Sequence, residues 1–471
     1  MSREETGLAE ATAPGRAGAG GHRFDPTILR AYDIRGVVGE TLTLDDARAL
    51  GRAFGTRVRG AGDRAGTGRV ALGYDGRLSS PELAEGVAAG LRATGLDVLW
   101  IGRGPTPMLY FAVHELGADG GIQVTGSHNP PTYNGFKMMQ GTHAVFGADI
   151  QDLGRIAADG DFASGAGDLH ETPVREAYID RLLRGLDLSE ALSIAWDPGN
   201  GAVGEVLGQV TAGLPGSHHL LNVEVDGTFP AHHPDPTVPE NLIQLQEAVR
   251  QRGCDLGFAF DGDGDRIGVV DGQGRILWGD QILVLLARDL LHALPGSAVI
   301  ADVKASGTLF DAVAEVGGQP VMWKTGHSLI KTKMRETGAP LAGEMSGHIF
   351  FADRWYGFDD AVYAALRVLE ALGRSGESLA AFRDRLPAVV NTPEIRFPCP
   401  EDRKTEAIAA VKARLAAEGA TVSDIDGVRV TTPDGWWLLR ASNTQDVLVA
   451  RCEAHDEDGL DRLKALLREQ I

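Results

Sequence analysis

One pattern recurs three times along this chain and limits the fold more than any other feature: a β-rich apolar run, a turn of Gly and Asp, then a helix. The first copy opens on "RVALGYDGR", a strand ending in a Gly/Asp turn, and continues into a helix over residues 81–94. "LDVLWIG" follows as a strand, residues 109–116 as a helix, and "GIQV" as a short strand. The second copy runs from "LSIAWDPGNGAVGEVL" to "CDLGFAFDGDGDR", and the third from "SAVIADVKASGTLFDAVAEVGG" to "PLAGEMSGHIFF". Buried strands alternating with helices imply parallel or mixed α/β sheets. Such sheets bind ligands at the loops beyond the carboxyl ends of their strands, which is where the least ordinary residues of this chain fall.

The rest of the chain divides around that repeat. Its 471 residues exceed what one core usually organises, so several domains are expected. Residues 1–22 read as an Ala/Gly-rich disordered tail without the apolar core of a signal peptide. Domain boundaries fall near 170, 276 and 389, giving α/β units over 23–170, 171–276 and 277–389. The segment 390–471 differs: a helix over 405–418, a hairpin in "VRVTTPDGWWLLR" and an amphipathic helix over 458–470 make an α+β domain.

Charge narrows the partners. Against 45 Lys and Arg stand 65 Asp and Glu, a formal charge of −20, and such a surface repels nucleic acid and anionic membrane. An anionic substrate would therefore need basic groups gathered at its site. Three widely spaced cysteines suit a reducing, cytoplasmic setting. The most apolar stretch, 282–294, is interrupted by Arg288 and Asp289 and is too short to span a bilayer.

"FAFDGDGDRIGVV" sets Asp261, Asp263 and Asp265 at alternate positions with glycine between them. Alternate side chains of extended backbone share a face, and glycine lets the chain wrap so that three carboxylates converge. Their mutual repulsion calls for a cation, and oxygen ligands favour Mg²⁺ or Ca²⁺ over zinc. An EF-hand is excluded by register: Arg266 stands where that loop needs glycine and Gly272 where it needs glutamate. Arg266 beside an open metal site suits phosphoryl chemistry.

Other loops supply partners for that chemistry. "VTGSHNPPTYNGFK" sets Ser127 beside His128 among turn residues. "LLRASNTQDVLVARCEA" offers Arg440, Ser442, Asn443 and Thr444 as an anion cradle, and "GEMSGH" offers Glu344, Ser346 and His348, of which the first two suit neighbouring sugar hydroxyls. At both of these loops an ordinary polar turn is the alternative. Lys137, Lys304, His327, Arg35 and Arg77 add positive charge in loops of the same kind.

Taken together, "YDIRGVVGETL" (with Tyr32 and Arg35), "TGSHNPPTYNGFK", "DPGNGA", "HHPDPTVPENL", "FDGDGDR", "PVMWKTGHSLIK", "GEMSGH", "RWYGFDDA" and "RASNT" resemble the α-D-phosphohexomutase superfamily, in its bacterial phosphomannomutase/phosphoglucomutase group. The resemblance covers residues 24–453. It implies a heart-shaped protein of three similar α/β domains with mixed sheets plus a C-terminal α+β domain, each sending one loop into a central cleft. It implies that Ser127 is a phosphoserine held exposed toward the metal, and that Asp261, Asp263, Asp265 and Ser127 bind one Mg²⁺ per chain. Glu344 and Ser346 are then the sugar contacts, with Tyr32, Arg35 and Lys304 also on the substrate. Arg440, Ser442, Asn443 and Thr444 hold the non-reacting phosphate. His128, Lys137, Arg266, His327 and His348 complete the catalytic set, with Lys137, His327 and His348 as acid/base or phosphate-contacting candidates. Two positions depart from the family pattern: Asp446, where an uncharged residue is usual, and the "KASGTL" run after Lys304.

The activity so implied is interconversion of hexose 1-phosphate and hexose 6-phosphate, mannose or glucose, through a hexose 1,6-bisphosphate. The Glu-Met-Ser form of the sugar loop looks like the mannose/glucose group; a phosphoglucosamine mutase is the alternative. A haloacid-dehalogenase-like phosphatase with Asp261 as nucleophile leaves Ser127, "GEMSGH" and "RASNT" without a task, and a non-catalytic sugar-phosphate binder has no use for the metal loop.

Overall fold

The computed structural model describes residues 20–60, 68–442 and 446–471. The first nineteen residues of the expected tail lie outside the described residues, but its end does not. His22 donates its backbone N–H to Ala157 O at 2.7 Å, and its Nε2 lies 2.7 Å from Asp46 Oδ1.

Four sheets organise the chain, and three of them repeat one topology. In the first, strands Asp97–Arg103, Arg69–Tyr74 and Gly120–Val124 lie side by side in parallel, and Tyr133–Gln140 returns antiparallel beside the third. The second repeats this with Gly216–Leu220, Leu192–Asp197, Leu256–Phe260 and the antiparallel Ile267–Asp271. The third does so with Gln319–Trp323, Ala298–Asp302, Leu341–Gly343 and Ile349–Phe351. Extra strands extend the sheets: Ile34–Val37 pairs with Tyr133–Gln140, Leu169–Glu171 with Asp97–Arg103, and Ile276–Leu277 with Ile267–Asp271. The last two straddle positions 170 and 276, so the sheets run slightly past those points. The fourth sheet is wholly antiparallel, with Val428–Thr432, Gly435–Ala441 and Val447–Ala454 at its centre under helices Glu401–Ala417 and Glu457–Glu469.

Two helices start earlier than their apolar periodicity suggests. Thr106–Glu115 takes Pro107 into its first turn, where a missing N–H costs no hydrogen bond. Glu401–Ala417 begins with two acids that favour the positive end of the helix dipole.

The cores show which parts belong together. One continuous apolar cluster joins the first three sheets, running from Leu109 and Phe111 through Trp196 and Phe258 to Phe351 and Leu366. The fourth sheet has its own core around Trp437, Leu439 and Leu463, and meets the third unit through a small patch of Val303, Trp436 and Leu438. Residues 282–294 fall mostly within helix Gly279–Ala293, buried in the shared core. Among the described residues no helix is long and apolar enough to cross a membrane.

Candidate active site

The threefold topology brings the three unusual motifs to equivalent places. In each repeat the connection from the third parallel strand to the antiparallel fourth carries the candidate residues: Ser127 in the first, Asp261 to Asp265 in the second, Glu344 to His348 in the third. The aspartate connection is tied through backbone to both neighbouring units. Thr106 N–H donates to Asp263 O at 2.8 Å, Ile267 N–H to Gly347 O at 3.0 Å, and Ala361 N–H to Gly264 O at 3.2 Å.

Ser127 has φ 49°, a left-handed conformation uncommon for a residue with a β-carbon. Its Oγ donates to Asp261 Oδ2 at 3.0 Å and lies 3.1 Å from His128 Nδ1. A Cβ on Gly262 would stand 2.4 Å from Ser127 O, so glycine there is what allows the two loops to touch. Ser127 is 2 % exposed, and the sequence expectation of an exposed serine is corrected: it lines a cleft, and its backbone is held within its own unit, N–H by Thr125 Oγ1 at 2.8 Å and carbonyl by Arg77 Nη2 at 2.8 Å.

The three aspartates are fully buried and their oxygens converge within 4.8 Å. Asp261 Oδ1 accepts the backbone N–H groups of Gly264, Asp265 and Arg266 at 3.0, 3.1 and 3.1 Å. Lys137 Nζ donates to Asp263 Oδ2 at 2.7 Å and to Asp265 Oδ2. Thr106 Oγ1 also donates to Asp263. Burial, then the charges of Asp263 and Asp265, push Asp261 well above the usual carboxylate range. Burial also opposes the charge of Asp263, but Lys137 outweighs it and holds that group low. The remaining oxygens, Asp263 Oδ1 and Asp265 Oδ1, are buried without a hydrogen-bond partner. Three carboxylates against one ammonium, with two oxygens unsatisfied, form a donor set that fits a hard divalent cation.

One wall of the cleft is built on imidazoles. His327 and His348 stack with centroids 5.4 Å apart. Arg266 Nε donates to His348 Nε2 at 3.0 Å, which leaves the ring proton on Nδ1, 2.9 Å from Asp359 Oδ2. Lys331 Nζ holds the other oxygen of Asp359 at 2.9 Å. Burial, followed by the nearby Lys331 charge, keeps His327 well below the ordinary histidine range and therefore neutral.

The peptide groups of Thr325 and Gly326 join three units across the cleft mouth. Tyr32 Oη donates to Thr325 O at 2.7 Å, and Asp426 Oδ2 accepts from Thr325 N–H at 3.1 Å and from Arg440 Nε at 2.9 Å. Gly326 N–H donates to Glu344 Oε1 at 2.5 Å, while Ser346 Oγ donates to Glu344 Oε2 at 3.3 Å. Lys304 Nζ pairs with Glu394 Oε1 at 3.2 Å. Ser442 O accepts from Lys404 Nζ at 2.7 Å.

The structure gathers Tyr32, Arg35, Ser127, His128, Lys137, Arg266, His327 and His348 around one cleft, with the three aspartates bonded to its Ser127 and Lys137. Lys304, Glu344, Ser346, Arg440 and Ser442 lie beyond this lining, and Asn443 and Thr444 fall outside the described residues. Arg77 is corrected as a free positive charge: its guanidinium is 1 % exposed and bonded to four loop carbonyls and to Asp75. Asp359 and Lys331 escaped sequence reasoning. Asp359 stood in the quoted "RWYGFDDA" run, where two acids after an aromatic cluster were the available signal.

Comparison with known proteins places all four units. Family models described as phosphoglucomutase/phosphomannomutase α/β/α domains I, II and III match residues 26–162, 176–274 and 278–389, and the C-terminal domain of that family matches 394–470. The chain is 44 % identical over 445 residues to a phosphomannomutase/phosphoglucomutase of Pseudomonas aeruginosa, covering 94 % of this chain and 95 % of the relative. It is 46 % identical over 442 residues to a phosphoglucomutase of Neisseria gonorrhoeae, covering 93 % and 95 %. A crystal structure of a phosphoglucomutase/phosphomannomutase family protein from Burkholderia thailandensis superimposes with a TM-score of 0.89 at 44 % identity, over 95 % of this chain and 97 % of the other.

Proposed function

The chain belongs to the phosphoglucomutase/phosphomannomutase family, and from that premise we propose how its residues carry out the exchange of phosphate between O1 and O6 of a hexose. The enzyme is a mutase interconverting hexose 1-phosphate and hexose 6-phosphate. Ser127 is its phosphoryl carrier: phosphoserine transfers its phosphoryl group to the free hydroxyl of the bound sugar phosphate, so the P–Oγ bond breaks as the P–O(sugar) bond forms. The resulting hexose 1,6-bisphosphate turns over within the cleft and returns its other phosphate to Ser127. The observation that carries this reading is the Ser127 hydroxyl at 3.0 Å from Asp261, in a loop topologically equivalent to the aspartate loop itself.

Asp261, Asp263, Asp265 and the oxygens on Ser127 would hold one Mg²⁺, which when bound supplies positive charge for the transferring phosphoryl group. Lys137 and Arg266 add fixed cations that need no reorganisation during transfer. The proton of the attacking hydroxyl passes to His327, which is neutral and stacks on His348, itself placed between Asp359 and Arg266. Glu344 and Ser346 bind sugar hydroxyls, and Arg440 with the loop at Ser442 binds the phosphate that is not reacting, as does Lys304. In the resting arrangement Asp426 occupies Arg440, and substrate phosphate takes its place. Three free cysteines support a cytoplasmic location.

A phosphatase acting through Asp261 fits less well. One oxygen of that carboxylate accepts three backbone N–H groups and the other the Ser127 hydroxyl, which leaves little nucleophilic character. A coupled assay with mannose 1-phosphate, glucose 1-phosphate and glucosamine 1-phosphate tests the sugar assignment. Turnover of the first two is expected; preference for the third would assign the chain to the phosphoglucosamine branch.

A further inference from the structure

We propose that Arg77 is a positioning residue: it sets the backbone of the transfer loop and thereby aims the Ser127 hydroxyl at the metal loop, an inference that rests on Ser127 being the phosphoryl carrier. A guanidinium has five N–H groups, and all five are used inside the fold. Nε donates to Asp75 Oδ2 at 3.2 Å. Nη1 donates to Pro130 O at 2.6 Å and Tyr133 O at 3.0 Å, and Nη2 to Ser127 O at 2.8 Å and Asn129 O at 2.6 Å. No donor remains for an anion, so this buried cation does not act on substrate directly.

The loop it grips is one that does not hold its shape by local preference. Ser127 sits at φ 49°, a conformation that persists in a non-glycine residue only when its surroundings over-determine it. Asp75 braces the same turn by accepting from Thr125 Oγ1 at 2.8 Å and Gly126 N–H at 3.1 Å. Gly126 leaves room for the guanidinium, since a Cβ there would stand 2.3 Å from Arg77 Nε. On the far side Gly262 of the aspartate loop approaches the same Ser127 carbonyl, so closely that a Cβ there would stand 2.4 Å from its oxygen. That carbonyl is thus bonded by Arg77 and packed against the loop it must face.

A second left-handed residue lies against the same side chain. Phe229, at φ 52°, places its ring 5.1 Å from the Arg77 guanidinium. A Cβ on Gly227 would fall 2.5 Å from Arg77 Cα, and one on Gly76 2.3 Å from Val225 Cγ1. The second unit therefore closes over the Arg77 turn, and it also supplies Asp261. Through Arg77 the carrier serine and the aspartates are referred to one rigid frame. Lysine cannot replace it, because a single ammonium with three donors cannot span four carbonyls and a carboxylate.

The test compares wild type with Arg77→Lys and, because that variant can fail to fold, with Gly126→Ala, which expels the guanidinium by a different route. Glucose 1-phosphate turnover, Mg²⁺ affinity by calorimetry, thermal unfolding and transfer of label from ³²P-glucose 1,6-bisphosphate to Ser127 are measured on each. The expected result is a fall in kcat of about 100-fold, the size of effect a misplacement near 1 Å produces, with KM within about threefold. Labelling of Ser127 slows by the same factor. The proposal is overturned if kcat of Arg77→Lys stays within about threefold of wild type, or if KM, metal affinity and folding all collapse with kcat in both variants, which marks a purely structural role. Wild-type labelling separates the two claims: an unlabelled Ser127 in wild type sinks the carrier reading itself, whatever the variants do.

Discussion

At the scale of single residues, the site works by leaving particular atoms unsatisfied. Asp263 Oδ1 and Asp265 Oδ1 are buried with no hydrogen-bond partner while their other oxygens are held by Lys137. Asp263→Asn removes one charge from an oxygen set suited to a hard cation. Weaker Mg²⁺ binding is expected by calorimetry, with activity partly restored by added metal; full activity of wild type in excess chelator, with no metal bound, contradicts the assignment. Glu344 uses one oxygen on Gly326 N–H and the other on Ser346. If it reads hydroxyls that glucose and mannose share, at C3 and C4, Glu344→Gln lowers kcat/KM for both alike, whereas selective loss of one sugar disproves a shared contact. The aspartates and Ser127 were legible in the sequence because their spacing and glycines encode the chemistry locally. The tasks of Arg77 and Asp359 were not, since their partners lie in carbonyls and side chains that only the fold brings near.

At the scale of elements, the strand–turn–helix repeat was legible because it is periodic, and its third-to-fourth-strand loops carried the motifs. Helix starts were less so, since Pro107 and Glu401 act through capping and dipole rather than apolar spacing. One start has a pH consequence. Asp360 caps helix Ala361–Ser375 by accepting from Tyr363 N–H at 2.9 Å, and accepts from Tyr178 Oη at 2.7 Å. Burial outweighs these bonds and raises its carboxyl to about 7. The folded state then binds more protons than the unfolded one between the ordinary carboxylate range and about pH 7, so this contribution is complete at low pH and lost as pH rises through that window. The slope reaches at most about 1.4 kcal/mol per pH unit. Relative to wild type, Asp360→Asn should gain stability from pH 5 to pH 8 in denaturant titrations; an unchanged difference would show that Asp360 ionises normally.

At the scale of the whole molecule, three units share one core while the fourth has its own and meets the third through a small apolar patch and a few polar bonds. Arg429 Nη1 reaches Val303 O at 2.7 Å, Arg451 Nη1 reaches Lys304 O at 2.8 Å, and Glu453 Oε1 accepts from Ser306 Oγ at 2.9 Å. Truncation before residue 390 should therefore leave a folded, metal-binding protein, and with little mutase activity if the fourth unit closes to keep water from a phosphoserine. Circular dichroism and kinetics check this, and wild-type rates from the truncated chain would remove the fourth unit from the site. Within that unit, if Arg440 binds the non-reacting phosphate, Arg440→Ala forfeits a charge-assisted contact of about 1.5–3 kcal/mol, seen as a raised KM. The central claim, that Ser127 is the phosphoryl carrier, is tested most directly by mapping where phosphate resides. Incubation with ³²P-labelled hexose 1,6-bisphosphate, followed by peptide mapping under acid, is expected to give acid-stable phosphoserine at Ser127 and none in Ser127→Ala. An acid-labile acyl phosphate on Asp261 would contradict it.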